Sequence, residues 1–215
     1  MAPDAEKLPV VPEPGKARAG KPPVAPGATA TVVRTCPKFL ALLGAFYEDR
    51  PEAPPTRAEL IDPSQIPEPF RRMLVHKSDM TSTLEKYHGE PLELLVLDRA
   101  IRDGFLFRHI VLAGRETGQP VEYGAIRIAL TALGEEARRE VIECRIPLGR
   151  ILVSHGVTHV SCPGGFFQVH SNALMNRVLK LDGPRWLYGR CNCLSDASGR
   201  VLAEVVEILP NRSQS

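Results

Sequence analysis

The chain has 215 residues, 43% of them hydrophobic and 24% charged, with a formal net charge of +2. That is the profile of an ordinary globular protein with one buried core and an extension, since single domains commonly run to about 100 to 200 residues. So small a charge, with no long Lys/Arg run, argues against nucleic acid, and the sequence lacks both an apolar stretch of the roughly 18 residues a membrane span needs and an apolar signal core at its start, so a cytoplasmic protein is expected.

Residues 1–34 are rich in Pro, Ala, Gly and Lys, with Pro22 and Pro23 adjacent and almost nothing aromatic to bury, and read as a disordered, partly polyproline-like extension. Folded structure is expected over residues 35–210, followed by a short flexible tail at 211–215. Phe39, Leu40, Leu42, Leu43 and Phe46 recur at helical spacing ahead of the cluster Pro51, Pro54 and Pro55. A second helix is expected over Pro69 to His76, and a third begins at Asp79 as N-cap and stops at Gly89.

From Pro91 the pattern changes. Leu92 to Ala100, Phe105 to Leu112 and Val121 to Leu130 are strand-length runs separated by Arg102-Asp103-Gly104 and by Gly114 to Pro120, the pattern of an antiparallel meander. Leu133 to Cys144 is helical again, with Glu135, Glu136, Arg138, Arg139 and Glu140 as a solvated face. Strands follow near Thr158 to Cys162, Phe166 to His170, Trp186 to Leu194 and Val201 to Leu209, the last two joined by a turn at Asp196 to Gly199. The sum is an α+β domain, a mostly antiparallel sheet of about six strands flanked by helices.

The five cysteines, Cys36, Cys144, Cys162, Cys191 and Cys193, are odd in number and have no framework spacing, which suits a reducing compartment without structural disulfides. Cys191 and Cys193 stand alone as a Cys-x-Cys, with no second ligand pair to make a metal site, and read as two thiols on one strand face. The six histidines are scattered in no hydrolase or metal-ligand arrangement.

Several collinear pieces between about residue 70 and residue 210 resemble the chorismate pyruvate-lyase family. They are Ser78-Asp79-Met80-Thr81 with Leu84-Glu85, then Leu106 through Leu112, then Gly118-Gln119-Pro120 leading to Ala125-Ile126-Arg127. Pro147-Leu148-Gly149-Arg150, Leu187-Tyr188-Gly189-Arg190 and Gly199-Arg200 with Glu204 complete the set. Ile151 to Arg185 departs from the pattern by its length and reads as a lid or an embellishment. In the closing strand the glutamate follows Gly199 at a shorter spacing than the family's, which makes Glu207 a rival of Glu204. The resemblance implies a chorismate lyase-like fold, shared with ligand-binding domains of some transcription regulators. It also implies a cofactor-independent lyase of ubiquinone or hydroxybenzoate biosynthesis, which eliminates the enolpyruvyl group of chorismate to give 4-hydroxybenzoate and pyruvate.

The residues bear on that expectation individually. Chorismate is a dianion, so its site must offer positive charge twice. Arg108 shares a strand face with Leu106, Ile110 and Leu112, and a guanidinium aimed into an apolar layer needs an anion. By the resemblance that anion is the ring carboxylate, gripped also by backbone N–H groups near Met80 and Leu148; otherwise it is a core glutamate. Arg127 shares its face with Val121, Tyr123, Ala125 and Ala129, either a pocket wall receiving the second carboxylate or a wet sheet face. Glu204 lies among Leu202, Val206 and Ile208, and the resemblance gives it the ring hydroxyl and assistance in proton removal. His109 is expected on the opposite side of the sheet from Arg108 in a structural role, and Arg150 and Arg190 either hold loops and helix ends or touch ligand. Two alternatives stand beside the lyase: a non-catalytic small-molecule sensor domain of the same fold, disfavoured because no helix-turn-helix precedes it, and a lyase-fold enzyme with a changed aromatic-acid substrate.

Overall fold

The computed structural model describes residues 37–48 and 51–212, with the backbone alone for 37–40. The expectations for residues 1–34 and for Cys36, and most of the tail expected at 211–215, lie outside the described residues. Six α-helices and seven strands are present among those described, in the order α1 (Pro37–Gly44), β1 (Ala58–Ile61), α2 (Phe70–Leu74), α3 (Met80–His88), β2 (Leu92–Arg102), β3 (Phe105–Gly114) and β4 (Pro120–Ala129), followed by α4 (Glu135–Glu143), α5 (Leu148–Ser154), β5 (His159–His170), α6 (Ala173–Val178), β6 (Trp186–Asp196) and β7 (Val201–Leu209).

Local sequence explains most of the boundaries. Asp79 caps α3, its side chain accepting from Ser82 N at 2.8 Å, and Gly89 ends that helix in the left-handed conformation at φ 75°. Asp103 and Gly104, both at positive φ, make the tight β2–β3 turn. In the β6–β7 hairpin, Asp196 Oδ1 accepts from Ser198 N and Arg200 N at 2.9 and 3.0 Å.

All pairings in the sheet are antiparallel, and its strand order is β1-β5-β6-β7-β4-β3-β2. The α+β expectation holds, with seven strands where about six are read from the sequence. Two expected strands, 158–162 and 166–170, are one strand, β5, which carries a register shift between Pro163 and Gly165. β1 gives no sequence signal, being four residues long among prolines. The segment 151–185 is no lid: it holds most of α5, all of β5 and α6, and β5 pairs with both β1 and β6 inside the sheet.

The two sheet faces are packed differently. On one, His109, Val111, Tyr123, Ala125, Val206 and Ile208 face α1 and α6 in a single core that also takes Phe167, Leu174, Met175 and Leu187. His109 is fully buried there, its ring 4.6 Å from that of Tyr123, and the Tyr47 and Tyr123 hydroxyls hydrogen-bond at 2.6 Å. On the other face the helices form two separate packs. α4 and α5 cover Leu106, Ile126 and Ile128, while α2 and α3 cover Ile110, Leu112 and Val121. The division matters because the sheet between the two packs is left to polar groups.

Close packing also constrains β6. A Cβ on Gly189 would stand 2.6 Å from the Glu207 carbonyl oxygen and against the ring of Phe167, which lies over the glycine from β5. Gly189→Ala is therefore expected to cost about 1–3 kcal/mol or more in denaturant unfolding, because backbone sits on one side of the intruding methyl. Gly134→Ala, where nothing lies within 4 Å, is expected to change stability by less than about 0.5 kcal/mol.

Candidate functional site

A cavity of about 130 Å³ opens where the two helix packs part. Its floor is the sheet: Arg108, Ile110 and Leu112 of β3, Glu122, Gly124 and Ile126 of β4, and Val205 and Glu207 of β7. Its roof is the start of α3, Asp79 to Thr81, and the start of α5, Pro147 to Gly149, while His159, Ser161 and Asn192 close one side. Gly124 keeps the floor open, since a Cβ there would press on the Ile110 side chain at 2.9 Å and on Glu122 Oε1 at 3.1 Å. For scale, an apolar cavity of about 150 Å³ holds a benzene ring.

Arg108 is 2% exposed. Its Nη1 reaches the Ile146 carbonyl at 3.5 Å, the limit of a hydrogen bond, and its Nε has no partner. Among the described residues no carboxylate forms an ion pair with it; burial pulls its pKa below the ordinary arginine range, and the neighbouring Cys144 thiol acts the other way. A desolvated guanidinium without a counter-ion is costly, by several kcal/mol for an ion in a protein interior.

At the opposite end of the floor two acidic side chains, Glu122 and Glu207, stand beside one arginine, Arg190. Arg190, with no exposed surface, donates from Nε to Glu207 Oε2 and from Nη1 to the Leu74 and His76 carbonyls, both at 3.0 Å, leaving Nη2 unpartnered. Glu122 is buried and its Oε2 has no partner. Burial first, and then the negative charge of Glu207, push the Glu122 carboxyl well above the usual carboxylate range, with Arg190 opposing and Asp79 reinforcing the shift. The site thus favours the uncharged form of Glu122. His76, beside Arg190, is held below the ordinary histidine range by burial and by that positive charge.

The expected site residues divide. Arg108, Met80 and Leu148 line the cavity. Arg127 and Glu204 do not: they face each other across β4 and β7 and are ion-paired, with side chains 39% and 31% exposed, on the sheet face that Arg108 does not use. Arg127 also lies over the Phe105 ring, 4.8 Å from its centroid. Alternation sends Glu204 and Glu207 to opposite faces, and Glu207, the rival, is the one in the cavity. Which face α3 and α5 would cover is a tertiary fact, and it decides the choice. Arg150 holds those two helices together through Glu85 Oε1, which also accepts from Leu92 N at 2.9 Å, and Arg190 fixes the chain after α2. The sequence does not single out Glu122, whose signal there is its parity with Gly124 and Ile126. Cys191 and Cys193 do share a face of β6, and among the described residues no group of three or more His, Cys, Asp or Glu side chains could hold a metal ion. No helix among them is long and apolar enough to cross a membrane.

No protein-family model and no curated protein matches the chain. Among solved structures it is similar to PhnF from Mycobacterium smegmatis, at 11% identity and TM-score 0.50, over 65% of this chain and 66% of that one, just under two thirds of its length. It is similar also to the isolated effector domain of PhnF, at 11% identity and TM-score 0.51, over 65% of this chain and 92% of that one. A looser likeness, with TM-score 0.37 and 12% identity, over 58% of this chain and 96% of that one, is to the C-terminal domain of histidine utilization repressor from Pseudomonas syringae pv. tomato. At these identities the first two likenesses speak for the fold. They also correct the expectation of a chorismate lyase of ubiquinone biosynthesis, since neither of these two structures is described as a lyase and one is an effector domain.

The state of Glu122 has a consequence for stability. Its folded pKa lies above the 4.5 of an ordinary glutamate, so the folded state holds a proton that the unfolded state releases as pH rises. This contribution is harmless below about pH 4.5 and destabilises progressively as pH climbs toward the folded value. Glu122→Gln, which keeps the shape and removes the titration, is expected to gain stability over wild type by an amount that is small at acid pH and larger at pH 8, read from denaturant midpoints.

Proposed function

We propose that this chain is a non-catalytic ligand-binding domain of the effector type, which takes a small organic anion into the cavity with Arg108 as the anion receptor. The observation that carries the reading is the buried Arg108 guanidinium, which lines a ligand-sized space and has no ion-pair partner among the described residues. A carboxylate entering the cavity supplies the missing counter-ion, and the guanidinium fork offers it two parallel hydrogen bonds. The backbone N–H groups at Met80 and Leu148 complete the grip from the roof, where α3 presents the positive end of its dipole. Likeness to the PhnF effector domain supports a binding role for the fold.

The same arrangement gives no reason to expect lyase chemistry. Of its two buried carboxyls, Glu207 is engaged by Arg190, and Glu122 lies where burial disfavours its charged form.

Pentanoate, a plain carboxylate small enough for the cavity, tests the reading. Arg108→Gln is expected to weaken its binding about 10- to 100-fold in calorimetric titration, the value of a charge-assisted bidentate contact in a dry site, while the variant remains folded. Equal affinity of wild type and variant, or no binding by the wild type, would overturn the assignment. Purified chain mixed with chorismate is expected to release no pyruvate above a protein-free control; sustained release would restore an enzymatic reading.

A further inference from the structure

Charges in the cavity do not balance locally. At one end is a cation, Arg108, with no anion; at the other, two buried carboxyls, Glu122 and Glu207, stand against one guanidinium, Arg190. Arg190 is committed to Glu207 and to two backbone carbonyls. Glu122 is the surplus: buried, lining the cavity and unpartnered at Oε2. Other groups near it add no compensating buried cation. Asp79 at the start of α3 is a further acid, His76 sits behind Arg190, and Lys77 is at the exposed rim.

Along the sheet, Arg108 pairs with Ile126 and Leu112 with Glu122, so the two orphans are four residues apart on adjacent strands. That is about 13 Å between backbone positions, and both side chains converge on the same cavity, which leaves room for one short molecule between them. Ile110 and Gly124 lie midway and provide an apolar, open floor for its middle.

Building on the anion reading above, we propose that the ligand is a small zwitterion, with its carboxylate on Arg108 and its ammonium group received by Glu122 beside Glu207. Either end alone leaves a buried charge or carboxyl unsatisfied, and a zwitterion satisfies both in one step. The proton balance is explicit. Glu122 enters as a carboxylic acid, the ligand ammonium keeps its own proton, and the Glu122 O–H bond breaks as the ion pair forms. One proton passes to the buffer for each ligand bound.

Calorimetry with 5-aminopentanoate and pentanoate, run in buffers of different ionisation enthalpy, tests this. Wild type is expected to bind 5-aminopentanoate about tenfold or more tightly than pentanoate and to release about one proton with the former only. Glu122→Gln is expected to abolish both the preference and the proton release while pentanoate affinity stays within a few-fold. Equal affinity for the two probes, or a preference without proton release, would overturn the zwitterion and leave the anion site standing; 5-hydroxypentanoate outcompeting 5-aminopentanoate would do the same by assigning Glu122 as a neutral donor. Failure of both probes to bind would remove the anion site and this inference together. The proton count is read on the wild type, so the result does not depend on how well the variant folds.

Discussion

The buried ion pair between Arg190 and Glu207 is the constraint on which the site depends. Arg190 lies on a central strand with no exposed surface and spends its remaining Nη1 on the carbonyls of Leu74 and His76, just before α3. One side chain thus joins β6, β7 and the α2–α3 connection. It fixes where α3 begins, and therefore where Met80 and Thr81 face the sheet. Removing either partner would leave a charge in the core without its counter-ion, which costs about 3–5 kcal/mol where such pairs have been broken. On the roof, the Arg150–Glu85 pair ties α5 to α3 in the same way.

Around that anchor the helices on this face form two packs rather than one, and the gap is a consequence of what the sheet presents there. Arg108 and Glu122 occupy positions that apolar residues would need to fill for the packs to merge. The opposite face has no such interruption between α1 and α6, and its core is continuous. Cavity formation here is therefore a matter of polar groups set into an apolar layer, kept open by Gly124. The energetic cost of leaving Arg108 and Glu122 unpaired is the reserve on which a ligand can draw.

The closing strand β7 is where the molecule departs from the lyase expectation. The resemblance gives the role of assisting proton removal to Glu204 of the closing strand, although the spacing there leaves Glu207 as its rival. Glu204 faces the other side of the sheet and neutralises Arg127 near the surface. Arg127 and Glu204, both expected to handle substrate, are instead partners of one another, while Glu207 in the cavity is engaged by Arg190 and burial disfavours the charged form of Glu122. The fold around the cavity is one that the effector domain of PhnF also has.

Much of the secondary structure was legible in the chain. Asp79 and Gly89 bound α3 through capping chemistry that acts within one turn, Asp103-Gly104 sets a hairpin through local φ preference, and the period-two runs of β2, β3, β4, β6 and β7 report which residues share a face. Those are interactions of near neighbours, and a sequence records them. Arg108 was identifiable for the same reason, as a charge among Leu106, Ile110 and Leu112. β1, α5 and α6 were not, since short elements are stabilised by what they pack against and β1 exists through its pairing with β5. Nor did periodicity separate Glu207 from Glu204, or single out Glu122. Alternation fixes that two residues lie on opposite faces, but which face receives α3 and α5, and so which carboxyl is buried beside Arg190, follows from helix packing across the sheet over long sequence separations.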